Sequence, residues 1–171
     1  MTSMGSFDAF MVKLDDMGNY LWSKSIQSTN SNYINQIALD YSGNINVVGH
    51  FQGVADFDPS AGTFPLTTIG NKSIFFGKYD SQGQLIDVKM IGGSGFEEGK
   101  AIAIDLQNNV YITGDFRGVV DFDPSGNTTF LTSDGLRDVF IAKYNVAGDF
   151  IWAKTFGGSN FDDGRGIALD N

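Results

Sequence analysis

Residues 102–124 read IAIDLQNNVYITGDFRGVVDFDP, and residues 37–59 read IALDYSGNINVVGHFQGVADFDP. Two texts this alike in one chain mark a tandem repeat. The period follows from anchors: Gly18, Gly83 and Gly148 stand 65 apart, as do Lys13, Lys78 and Lys143, Lys24, Lys89 and Lys154, and Ile37, Ile102 and Ile167. Gly49 and Gly114, Pro59 and Pro124, and Thr2, Thr67 and Thr132 keep the same step. No insertion disturbs it.

Each period carries four strand signals. Strand A covers residues 102–105, a short apolar run ending at a polar turn. Strand B covers 110–116, where Val110, Ile112 and Gly114 alternate with Tyr111, Thr113 and Asp115, the period-2 pattern of a strand. Strand C is VFIAKY at 139–144 and strand D is DFIWAKTF at 149–156, joined through Gly148, a residue suited to a left-handed turn position. Apolar residues at helical spacing are not sustained anywhere. The 22 glycines, 15 phenylalanines and short segments bounded by Gly, Asn or Asp favour strands and turns.

A recurring four-stranded antiparallel meander is the unit of a β-propeller blade. The expected fold is therefore all-β: propeller blades in about two and a half 65-residue repeats, an open or partial propeller. The register places strands C and D of an incomplete blade in 1–36, blades in 37–101 and 102–166, and the first strand of a further incomplete blade in 167–171. Both ends then cut through a repeat, as in a fragment of a longer array or a chain completed by copies of itself. Common blades run about 40 to 50 residues. The excess lies between B and C, at 52–71 and 117–136, and reads as an extension of B, an Asp-Pro turn and a returning segment.

Composition narrows the function classes. The net charge of −9 argues against nucleic acid and anionic membrane surfaces, which need basic patches. The chain has no Cys, and its one His is His50. A disulfide framework, a zinc ribbon, a thiol nucleophile and a histidine-based triad or metal site thus lack material. The first residues show neither a signal peptide nor a membrane-spanning run.

FDAFMVKLDDMGNYLWSKS at 7–25, GNINVVGHFQGVADFDP at 43–59 and DVFIAKYNVAGDFIWAKTFGGSNFDDGRGIALD at 138–170 together resemble the SBBP repeat, a seven-bladed β-propeller repeat of bacterial proteins. The resemblance covers essentially the whole chain. It implies an extracellular or cell-surface scaffold without an assigned reaction; the partner expected of such a module is a protein or glycan ligand. The chain departs from the pattern at Asp87, which stands where Trp22 and Trp152 stand, and at 27–36, where QSTNSNYINQ replaces a glycine-rich acidic turn.

Strand parity in a meander puts the D-to-A and B-to-C connections on one end of the sheet. The first hold Glu97, Glu98, Asp162 and Asp163, and the second hold Asp56, Asp58, Asp121 and Asp123. The expectation is one acidic rim, with Asp121 and Asp123 beside Asp162 and Asp163, and a mostly neutral opposite rim. The two Asp-Phe-Asp-Pro segments and Asp162-Asp163 are the candidate metal ligands, with calcium as the cation they would suit, because carboxylates at positions 1 and 3 begin a calcium loop. Position 12 of that loop is Thr132, however, and Asp-Pro turns use their carboxylates on nearby backbone N–H groups. A glycosidase-type acid pair is disfavoured because the acids recur in every blade, and no catalytic residue is assigned. His50 occupies the column of Asp115 at a strand end and reads as a hydrogen-bonded or exposed histidine. The lysines of strands C and D read as guards of outer strands. Trp22 and Trp152 read as packing between blades. The leading reading is a non-enzymatic binding or structural module. The alternative is a propeller hydrolase or lyase with a cation-dependent site on the acidic face. Open blade faces at the two ends would also drive self-association.

Overall fold

The computed structural model describes residues 5–170; Thr2 and the end residue Asn171 lie outside them. The elements are β1 (Ala9–Leu14), β2 (Tyr20–Ser28), β3 (Asn32–Leu39), β4 (Ile45–Phe51), β5 (Val54–Asp56), β6 (Pro65–Thr67), β7 (Ser73–Tyr79), β8 (Leu85–Gly93), β9 (Glu97–Ile104), β10 (Val110–Phe116), β11 (Val119–Asp121), β12 (Phe130–Thr132), β13 (Asp138–Tyr144) and β14 (Phe150–Phe156). All are strands, and every pairing between them is antiparallel. Among the described residues no helix is long and apolar enough to cross a membrane.

The meander expected from the repeat is present twice in full. β3-β4-β7-β8 form the middle blade and β9-β10-β13-β14 the last, each in the order A-B-C-D, while β1 and β2 are strands C and D of a first blade. Among the described residues no sheet closes on itself. Strand A begins earlier than its Ile37 and Ile102 anchors, at Asn32 and Glu97.

The tight connections have one chemistry. Asp40 Oδ1 accepts from the N–H groups of Ser42 and Asn44, each at 2.9 Å, and Asp105 Oδ1 accepts from Gln107 and Asn109 at 3.0 and 2.8 Å. Asp15, Asp80 and Asn145 do the same in the C-to-D turns. Such self-capping turns satisfy the backbone where the ladder stops. Gly43 sits in them at φ 82, and Asn108 takes the equivalent place at φ 62; Asn is the side chain that tolerates this conformation best.

The long B-to-C excursion does not simply prolong its own blade. It crosses to the preceding one. β5 pairs with β2, matching Gln27 with Asp56, and β11 pairs with β8, matching Gly92 with Asp121. Each hairpin, β5-β6 or β11-β12, thereby extends the outer edge of the blade before it, giving the six-strand order β12-β11-β8-β7-β4-β3. Strand D is covered by the next repeat where it would otherwise be an open edge.

Packing follows the same neighbour rule. One core cluster joins Met11 and Ile26 of the first blade to Val47, Phe51, Phe75, Tyr79 and the excursion residue Phe57 of the second. The other joins Phe76 and Ile91 of the second to Ile112, Phe116, Phe122, Phe140 and Tyr144 of the third. Burial of these large side chains, at about 1.5–3 kcal/mol each, is what holds blade to blade. Where a neighbouring blade is lacking the same columns are open: Ile26 and Ile91 are buried, but their counterpart Phe156 is 57% exposed, and Phe10 is 60% exposed where Phe75 and Phe140 are buried.

Candidate functional site at the bulged inner rim

The inner strands are irregular at one repeated place. Ladder register shifts between Ile34 and Gln36 opposite β4, and between Gly99 and Ala101 opposite β10. The extra residues are Asn35 and Lys100, one period apart. A β-bulge bends its strand and re-aims the side chain of the extra residue. Strand B accommodates it with Gly49 and Gly114, where a Cβ would collide with the carbonyl oxygens of Tyr33 and Glu98. The sequence therefore needs glycine opposite each bulge.

The bulge residues knit the inner edges together. Asn35 Nδ2 donates to the Gly99 carbonyl at 2.7 Å and faces His50 Nδ1 at 3.2 Å. The N–H of Ile102 donates to Gln36 Oε1 at 2.7 Å. Lys100 instead meets carboxylates: its ammonium pairs with Asp115 and Asp163, with Glu98 at 3.6 Å. Lys72 pairs with Glu98 at 2.5 Å, Arg137 with Asp115 at 3.0 Å and Arg165 with Asp163 at 2.6 Å. A shallow depression lined by Asn35, His50, Glu98, Lys100, Asp163 and Arg165 lies over this network.

Charge pairing sets the ionisation of the rim. Burial alone would lower the Lys100 ammonium, but its bonds to Asp115 and Asp163 outweigh it and hold the group above its ordinary value. The bond from Lys100 keeps Asp163 below the usual carboxylate range. Glu98 also ends low, because Lys72 overcomes the penalty of burial. His50 is pushed down to about 4, chiefly by burial and then by the charge of Lys72. It is a neutral imidazole at neutral pH.

Within this network four cations face three carboxylates, so Glu98 and Asp163 do not form the bare acidic surface expected from the turns. Lys72, Lys100, Arg137 and Arg165 compensate Glu98, Asp115 and Asp163. Glu97 is fully buried. Burial pushes its carboxyl up to about 7, against the pull of the Gly93 and Gly95 backbone and the Lys72 charge. Those backbone groups approach without hydrogen-bond geometry, and both carboxyl oxygens stay unsatisfied. Asp162 accepts from the Gly158 N–H at 2.8 Å and serves its own turn.

Asp56, Asp58, Asp121 and Asp123 are elsewhere. Because β5 and β11 run back along the preceding blade, the Asp-Phe-Asp-Pro turns are carried away from the rim. The depression holding Asp56 and Asp58 is shared with Ser25 and Gln27 of the first blade. The turns are anchored by Phe57 and Phe122, whose carbonyls accept from the hydroxyls of Tyr79 and Tyr144 at 3.1 and 2.9 Å. Those tyrosines end strand C at the C-to-D side of the blade. The expected juxtaposition of Asp121 and Asp123 with Asp162 and Asp163 is thus corrected. Parity predicts where a loop starts, but not where a hairpin paired to a neighbouring sheet comes to rest.

The carboxylates of these turns serve the backbone. Asp56 Oδ1 accepts from Asp58 and Phe64, Asp58 Oδ1 from Ser60, Asp121 Oδ1 from Asp123 and Thr129, and Asp123 Oδ1 from Ser125. Among the described residues no three His, Cys, Asp or Glu side chains gather in a group that would hold a metal ion. On the opposite rim, too, acids of the turns are paired with cations. Lys78 pairs with Asp40 at 2.9 Å and Lys143 with Asp105 at 3.5 Å. Lys78 and Lys143 therefore neutralise the A-to-B turns and do not guard an outer edge, since β7 and β13 lie inside their sheets. Trp22 does pack between blades, over Gly83.

Sequence reasoning identified Glu98 and Asp163 but passed over Lys100, Arg165, Lys72 and Arg137. Their signal was available in the columns: Glu98 with Lys100, and Asp163 with Arg165, repeat an acid-base pair two residues apart.

No protein-family model matches the chain. Among curated proteins it is similar to an uncharacterized WD repeat-containing protein of Acanthamoeba polyphaga mimivirus, with 30% identity over 169 residues, covering 92% of this chain and 12% of the viral protein. The chain thus spans a small part of that relative's length. The repeat is of the β-propeller type. Its blades differ from plain four-stranded ones in the hairpin each repeat lends to the blade before it.

Proposed function

We propose that this chain is part of a non-enzymatic β-propeller array of the bacterial seven-bladed repeat family its motifs resemble, acting outside the cell or at its surface as a binding or structural scaffold for proteins. The observation that carries this reading is that the polar chemistry repeats with the fold. Asp56 and Asp58 recur as Asp121 and Asp123, and Glu98 recurs as Asp163; the first four serve their own turns and the last two pair with cations of the same rim. Catalysis needs one constellation set apart from its repeats, with groups held ready for a substrate. A scaffold needs rigid blades and loops on a rim. The WD-repeat name of the viral relative supports a scaffold too. Further repeats of the same kind cover the open faces that carry Phe10 and Phe156.

The test is turnover by the complete array on ester, glycoside and polyuronide substrates. None is expected. Specific turnover abolished by neutralising a single acid, Glu98 or Asp163, overturns the reading. Immunolabelling of intact source cells with an antibody against the repeat tests location, and a signal appearing only after lysis refutes a surface role.

A further inference from the structure

The column of Trp22, Asp87 and Trp152 is the one place where the middle repeat replaces a large aromatic by a small acid. In the contact between the first and second blades, the six-membered ring of Trp22 and the stem of Lys24 lie over Gly83. A Cβ at Gly83 would come within 3.0 Å of Trp22 Cη2, 3.1 Å of Cζ3 and 2.9 Å of Lys24 Cγ. The equivalent Gly148 of the third blade meets Lys89 in the same way, but Asp87 Oδ2 reaches only to 3.6 Å and no ring covers the turn.

The missing ring leaves space. Between the second and third blades lies a cavity of about 120 Å³ walled by Phe76, Ile86, Ile102, Val110 and Val146, with Asp87 and Lys89 also lining it. Asp87 and Lys89 pair at 3.0 Å, and both side chains remain about one-third exposed. An apolar cavity of about 150 Å³ is enough to bind benzene. This one is slightly smaller and open at one side, so a flat bicyclic group can insert one ring and leave its polar edge at the mouth.

We propose that this cleft binds an indole-type aromatic group. The rings enter between the apolar walls, where the repeat places a tryptophan in the neighbouring contact. The ring N–H donates to the Asp87 carboxylate, and the Lys89 stem covers the ring as the Lys24 stem accompanies Trp22. No bond is made or broken. The inference is independent of the scaffold reading, because free indole tests it without any protein partner.

The experiment is an NMR titration of the full chain with indole, followed through backbone amide shifts, with 1-methylindole and benzene as comparators. Saturable shifts at Gly77 and Gly148 are expected at about millimolar indole, the range usual for a ligand this small. Binding of 1-methylindole and benzene should be at least several-fold weaker, because neither offers the N–H. Asp87→Trp should fill the cleft, abolish the shifts and raise the melting temperature. Val146→Trp, at an exposed turn position, should weaken binding without touching the core, and it carries the test if Asp87→Trp does not fold. The proposal is overturned by an absence of saturable shifts, by comparators that bind as tightly as indole, or by full binding in either folded variant.

Discussion

The Tyr144 hydroxyl donates to the Phe122 carbonyl at 2.9 Å, and one period earlier Tyr79 donates to Phe57 at 3.1 Å. Both tyrosines are fully buried, and burial raises both phenols well above their ordinary value, so each stays a protonated donor. Each bond pins the excursion that links one blade to the edge of the one before. Tyr144→Phe keeps the ring but leaves a buried carbonyl without its donor, at a cost of about 1–3 kcal/mol. Denaturant midpoints should fall for Tyr144→Phe and Tyr79→Phe alike, and an unchanged midpoint would show that the bond is not made in solution.

Gly114 faces the bulge at Lys100, where an added Cβ would strike the Glu98 carbonyl oxygen. Backbone cannot yield as a flexible side chain does. Gly114→Ala should therefore destabilise by roughly 1–3 kcal/mol or more, and Gly49→Ala equally. Gly126, with nothing within 4 Å of its Cβ position, is the control: Gly126→Ala should leave the thermal midpoint nearly unchanged.

Lys100 holds Asp115, a buried carboxylate, together with Arg137. Removing one partner of a buried pair leaves an uncompensated charge, which costs about 3–5 kcal/mol in enclosed sites; Lys100 is itself partly exposed, so about half that is expected for Lys100→Met. Chemical denaturation reads it.

Glu97 and His50 work in opposite directions with pH. Glu97 has its carboxyl raised from 4.5 to about 7, so the folded state holds its proton more tightly than the unfolded chain. Its stabilising contribution is fully present at low pH and is lost as pH rises from 4.5 through about 7. His50 is lowered from 6.5 to about 4, so its contribution is present above 6.5 and is lost as pH falls through about 4. The two nearly cancel between 4.5 and 6.5, which leaves a decline of stability near neutral pH. The repeat suggests the cure. Asn32 occupies the Glu97 column and satisfies itself, accepting from the Ala9 N–H at 2.6 Å and donating to the Ile26 carbonyl at 2.9 Å. Glu97→Asn should raise the melting temperature at pH 8 and abolish the decline, leaving a profile that only falls on the acid side. Thermal melts across pH 4 to 8 check the sign, which would be refuted by a wild-type stability that climbs through neutrality.

The sequence by itself determined the repeat, its strands and their order. The reason is local: alternation, glycine punctuation and self-capping Asp turns depend on neighbours a few residues away, and a 65-residue echo makes each signal count more than once. It also carried the acid-base pairs Glu98 with Lys100 and Asp163 with Arg165. Only the tertiary structure decided where the acids end up. A hairpin such as β11-β12 gains its hydrogen bonds and buries Val120 and Phe122 by leaving its own blade for β8, and no pattern within β11 names that partner. A one-residue bulge is equally silent in sequence, yet it turns Lys100 onto Asp115 and Asp163 and makes a compensated rim of what loop composition describes as an acidic one.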